Sequence, residues 1–145
     1  MRPFLLPLFA LALVSCGPST ARLYHGPINP DVMVVIEPNG RREVISHVFF
    51  AQPQRRSSGD YARLDIRSGV DCGAGKVSVK DVTGYSPEGK VISTVSQPAA
   101  WATPKGSEAV TLQIVCDRKF AATRVLHARL DQLEALYRAK AAKAS

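Results

Sequence analysis

The chain has 145 residues, 19 basic against 12 acidic, and a formal charge of +7 at neutral pH. That length supports one domain with one core and is too short for two ordinary domains. The basic excess points to acidic partners, and nucleic acid drops out of that group once the N-terminus is read as an export leader.

Met1-Arg2-Pro3 supplies one positive charge, and residues 4–14 form an apolar run broken only by Pro7 and ending at Ser15-Cys16-Gly17. This is the layout of a secretory signal with a small residue before the cleavage site. A membrane span needs roughly 20 apolar residues, whereas this run is shorter and gives way to Gly17-Pro18-Ser19-Thr20. Leu13-Val14-Ser15-Cys16 resembles the lipobox of bacterial lipoproteins. That resemblance implies removal of residues 1–15, acylation of Cys16 and attachment to a membrane through the N-terminal lipid, at about 0.8 kcal/mol per buried methylene. Gly17 in place of aspartate implies, by resemblance to bacterial lipoprotein sorting, delivery to the outer membrane. Cleavage leaves 130 residues at +6. For such a chain the partners to consider are a host or envelope protein and anionic lipid or polysaccharide, with no nucleic acid.

Cys72 and Cys116 remain, and an even pair in an oxidising compartment reads as a disulfide. The alternatives are two buried thiols, or a metal pair with no neighbouring ligand.

Residues 16–30, with Gly26, Pro27 and Pro30 and no apolar period, read as a flexible tether. Val32-Met33-Val34-Val35-Ile36 is a β-branched strand stopped by the turn signal Pro38-Asn39-Gly40. Residues 43–51 place Val44, Val48 and Phe50 on one face and Ile45, His47 and Phe49 on the other, the pattern of an inner strand. After a polar turn carrying Arg55 and Arg56, residues 61–68 alternate, with Tyr61, Arg63, Asp65 and Arg67 on a face expected to be solvated. Gly73-Ala74-Gly75 turns the chain into residues 76–83, and Ser86-Pro87-Glu88-Gly89 closes a hairpin onto residues 90–96. Five strands joined by short turns predict an antiparallel meander.

Residues 97–106 form a loop folded back over an apolar surface, with Trp101 as a buried anchor or, alternatively, a ligand platform. Residues 107–117 are ambiguous. Val110, Leu112, Ile114 and Cys116 alternate as in a strand, while Ala109, Leu112, Val115 and Cys116 line a helical face with Ser107 as N-cap. Residues 121–143 read as one amphipathic helix through Leu126, Leu130, Leu133 and Tyr137. Its stripe packs on the domain or pairs with a second copy, giving an oligomer.

The order of Asp71-Cys72, Tyr85 in a turn with Gly89, Trp101 with Pro104, Gly106-Ser107 and Val115-Cys116 resembles the surface-adhesin protein E family of bacterial outer-membrane lipoproteins, over roughly residues 33–116. The resemblance implies an α+β fold: an antiparallel meander of about five to six strands with a C-terminal helix held to the sheet by the disulfide. It tips residues 107–117 towards helix. Residues 31–117 are then the surface-adhesin-like domain. Residues 118–145, the amphipathic C-terminal helix, depart from the family as an addition, and the strand before Val44 matches poorly.

His25, His47 and His127 are far apart and lack carboxylate or cysteine companions at ligand spacing, so no metal and no cofactor are expected. Neither a nucleophile elbow nor a phosphate loop is present, and the protein reads as non-enzymatic. Asp65 and Asp71 could form a carboxylate pair, but cross-strand charge pairing of Asp65 with its arginine neighbours explains it more simply. The candidate binding residues are Arg41, Arg42, Arg55, Arg56 and Trp101. In a meander, successive turns alternate between the two ends of the sheet, so the two arginine pairs are expected at opposite ends.

Overall fold

The computed structural model describes residues 22–144; Cys16 and the leader lie outside them. Seven strands form one antiparallel sheet: β1 (Leu23–Ile28), β2 (Val32–Pro38), β3 (Glu43–Arg56), β4 (Gly59–Asp71), β5 (Lys76–Tyr85), β6 (Val91–Ser96) and β7 (Val125–Leu126). Their order across the sheet is β6-β5-β4-β3-β2-β1-β7, so the first six make an unbroken meander and β7 adds to its end. Three helices complete the α+β fold: α1 (Ser107–Cys116), α2 (Arg118–Ala122) and α3 (Leu130–Ala144).

The apolar run of β2 explains the layering. Met33, Val34, Val35 and Ile36 are all buried, which an alternating strand achieves only with both faces covered. Val34 and Ile36 meet Val44 and Val70 on one face, where α1 contributes Ile114 and α2 contributes Ala121. Met33 and Val35 meet Leu23 and Phe49 on the other, where Leu130, Leu133 and Tyr137 of α3 pack. Each such side chain contributes roughly 1.5–3 kcal/mol on burial. Burial, with Asp31 nearby, pushes the Tyr137 phenol up, and its hydroxyl donates to the Pro30 carbonyl at 3.4 Å. Coverage stops short of the far side of the sheet, where Val91 and Val95 of β6 are 60% and 51% exposed.

The expected disulfide is present. Cys72 follows β4, Cys116 ends α1, and their Cα atoms are 5.5 Å apart. Of the ambiguous residues 107–117, Ser107–Cys116 are helical and Asp117 is extended, with Gly106 rather than Ser107 at the N-cap position; the Ser107 carbonyl instead accepts from the Thr111 hydroxyl at 3.2 Å.

Two expectations are corrected. Residues 23–28 belong to a strand between β2 and β7, not to a tether. Gly26 and Pro27 concealed it, yet both fall where the β1–β2 register shifts between His25 and Ile28, an irregularity that tolerates proline's missing N–H. The C-terminal segment is also not one helix. Asp117 caps α2 by accepting from the Lys119 and Phe120 amides at 2.9 and 3.1 Å. The chain then opens so that Val125 and Leu126 pair with Tyr24 and Leu23, occupying backbone groups that β1 would otherwise leave as an open edge. Leu126, Leu130, Leu133 and Tyr137 still gather in one cluster, although a strand supplies the first of them.

The β3–β4 pairing shifts register between Phe49 and Gln54, ahead of the hairpin tip. There the Tyr61 ring rests on Gly84, and a methyl added at Gly84 would lie 2.0 Å from its Cε1. The Tyr61 hydroxyl also bonds the Ser93 hydroxyl at 2.9 Å and that of Ser58. Gly84→Ala is therefore expected to destabilise the protein by about 1–3 kcal/mol through overpacking. Combining it with Tyr61→Ala should remove most of the added cost in a urea-unfolding double-mutant cycle; strict additivity would show that the ring does not carry the effect.

Candidate functional site

The meander separates the basic turns as its topology requires. Arg41 and Arg42, between β2 and β3, lie at the end of the sheet that carries the Cys72 turn, since the Arg42 carbonyl accepts the Val70 amide at 2.8 Å. Arg55 and Arg56 lie at the opposite end, on the β3–β4 tip, where Arg55 faces Asp60 across the hairpin. Trp101 joins neither cluster. Its loop runs back along β5 through paired Val77–Ala102 bonds of 3.0 Å, and the indole edge closes over Gly69 while half of the side chain stays exposed. It is thus a partial anchor, not the buried one expected.

A feature that the turns alone do not reveal lies where β1 begins and β2 ends. An open groove of about 1950 Å³ is bounded there by the start of β1, the β2–β3 turn, the end of α1, α2, and the segment from β7 into α3. Its apolar lining includes the half-buried Val125, Leu126 and Leu130, with Leu23 and Ile114 almost fully covered behind it. Around it stand Arg22, Arg41, Arg118, His127 and Arg129, against a single carboxylate, Glu37. Arg22, Arg41 and Arg118 are exposed and form no ion pair among the described residues. Arg129 is shared with Asp131, whose carboxyl it holds below the usual range. Of the candidate binding residues read from sequence, Arg41, Arg42, Arg55, Arg56 and Trp101, only Arg41 lines the groove. Arg22 falls in the supposed tether, and Arg118, His127 and Arg129 in the supposed continuous helix, so nothing short of the β1–β7 pairing brings them together.

Glu37 is itself engaged. Its Oε2 lies 2.9 Å from His47 Nε2, and Asp65 Oδ1 lies 2.8 Å from Nδ1 of the same ring. The carboxylate companions missing from the local sequence around His47 thus come from the neighbouring strands β2 and β4. The ring is buried, with a carboxylate oxygen within hydrogen-bond distance of each of its nitrogens. The network continues from Asp65 to Arg63, whose Nε lies 3.1 Å away at an angle too poor for a hydrogen bond, and from Arg63 to Glu134 of α3 at 3.2 Å. Arg63 also stacks 3.9 Å over the Tyr85 ring. The strand face expected to be solvated is therefore largely enclosed at Arg63 and Asp65, and its charges clamp α3 to the sheet. Nearer the open side, Arg67 pairs with Asp81, and Lys80 holds the Glu43 carboxyl below its usual range.

Among the described residues no group of three or more His, Cys, Asp or Glu is placed to hold a metal ion, and no helix is long and apolar enough to cross a membrane. No protein-family model, no curated protein and no solved structure matches the chain.

Proposed function

We propose that this chain is a lipid-anchored protein of the bacterial cell envelope, non-enzymatic, whose domain binds a macromolecule in the manner of a surface adhesin. The observation that carries the binding reading is the convergence of unpaired arginines on one groove of a disulfide-braced scaffold. Solvated charge held on rigid elements is the usual equipment of an anion-binding surface. The leader ending at Cys16 and the order of motifs from Asp71-Cys72 to Val115-Cys116 support the envelope and adhesin parts.

A second reading is a periplasm-facing structural or assembly lipoprotein bound to another envelope protein. The exposed β6 favours it, because the sheet ends there and an unpaired strand edge invites a partner's strand. Protease shaving of intact cells separates the two: loss of the domain is expected for an adhesin, and full protection overturns that reading in favour of the periplasmic one. Mass spectrometry of the mature N-terminus tests the anchor, with an unmodified chain as the contrary result.

Binding to a sulfated glycan such as immobilised heparin should weaken with salt, since exposed charges are screened over about 8 Å at physiological ionic strength. Arg41→Ser with Arg118→Ser is expected to elute at lower salt than wild type, and Arg55→Ser with Arg56→Ser to shift less. Equal elution of all three would take both clusters out of the binding surface.

A further inference from the structure

We propose that the groove between the start of β1 and α2 is a membrane-docking site that takes the phosphate-bearing headgroup of an acidic phospholipid. The proposal deepens the envelope reading by naming the chemistry of one partner. It stands first on the composition of the groove. A cationic rim of Arg22, Arg41 and Arg118 beside the half-buried Val125, Leu126 and Leu130 matches an amphiphile, with anionic head on the arginines and glycerol and acyl groups against the apolar side chains. A polysaccharide would bring hydroxyls needing partners to those apolar side chains, whereas glycerol and acyl groups do not. The one carboxylate of the lining, Glu37, is held by His47 and so adds little repulsion towards a phosphate.

The second support is chain geometry and rests on the anchoring reading. Arg22, part of the rim, is six residues from Cys16, and an extended chain spans at most about 3.5 Å per residue. An acylated Cys16 therefore keeps Arg22 within about 20 Å of the bilayer, a tether short enough to let the rim settle against the headgroups, whose field acts on arginines within a screening length. The opposite end of the sheet, with Arg55, Arg56 and the β3–β4 tip, then faces away from the membrane.

The test uses a chain beginning at Gly17, which keeps every described element and lacks both the apolar leader and the acylation site. Its co-sedimentation is measured with vesicles of phosphatidylcholine alone and with vesicles containing phosphatidylglycerol, at low and physiological salt. Binding to the acidic vesicles only is expected, weakening as salt rises. Each arginine near such a surface is worth about fivefold in partitioning, so Arg22→Ser with Arg118→Ser should lower it about 25-fold, while Arg55→Ser with Arg56→Ser changes it less than about twofold. Both pairs are exposed, and circular dichroism with urea unfolding verifies that each variant is folded as wild type.

Equal partitioning of the groove variant and wild type overturns the proposal, as does an absence of binding to acidic vesicles. Retention on heparin without vesicle binding assigns the arginines to an anionic polymer, which rejects the lipid and leaves the adhesin reading standing. An unacylated Cys16 in mature protein removes the anchor without altering the vesicle result, so the two failures are distinguishable.

Discussion

Replacing Cys72 and Cys116 together with serine is expected to lower the unfolding free energy by about 4 kcal/mol. The magnitude is the chain entropy released when a cross-link spanning 44 residues is opened. Against the 5–15 kcal/mol typical of whole domains, that is a large share, and at the low end of the range it leaves a measurable unfolded fraction. Urea unfolding of oxidised wild type and the double variant measures it directly. A loss below about 1 kcal/mol would mean that the unfolded chain is already confined without the bond. The loss should also be localised: Cys116 ends α1 and α2 follows at once, so hydrogen exchange should quicken in these helices before the central strands. Because α2 contributes Arg118 to the groove, lipid or glycan binding should weaken in the same variant.

His47→Leu is expected to cost about 3 kcal/mol or more, although leucine is close in size and the site is otherwise apolar on the strand's other face. Removing the ring leaves Glu37 and Asp65 without the partner they share, and taking one member out of a buried polar or ionic pair typically costs about 3–5 kcal/mol. Asp65 keeps Arg63 and Glu37 is more solvated, which places the expectation at the lower end of that range. Adding Glu37→Gln and Asp65→Asn to His47→Leu should recover much of the loss, since neutral amides no longer repel. If the triple variant is no more stable than His47→Leu alone, lost packing and not orphaned charge is the cause. If His47→Leu is as stable as wild type, the pairing of His47 with Glu37 and Asp65 contributes nothing to stability.

The meander could be read because its signals are local. The Val32–Ile36 run, Asn39-Gly40, the alternation after Tyr61 and the Ser86–Gly89 turn each specify a strand or reversal within a few residues, and β2 to β6 follow them. The disulfide was legible from compartment and parity. What escaped was decided by distant partners. β1 carries Gly26 and Pro27 and is a strand because β2 and β7 flank it; β7 leaves a helical pattern because β1 offers an edge. The groove inherits both difficulties, with Arg22 on one side of that pairing and Arg118 and Arg129 on the other. His47 follows the same rule, since its carboxylates come from the strands on either side.

The sequential strand order also has a kinetic side. Every pairing from β1 to β6 joins neighbours along the chain, so each hairpin closes only a short loop, and the sheet can grow from one end as the chain emerges. Leu23–Leu126 and Tyr24–Val125 are different: they bring the first strand together with one formed about a hundred residues later, a closure with a high entropic cost. That clasp, with the docking of α3, is expected to form late in folding, and until it forms β1 presents an open edge to other chains. A chain cut before Val125 would keep its meander yet hold that edge open permanently, making strand exchange and aggregation its characteristic failure.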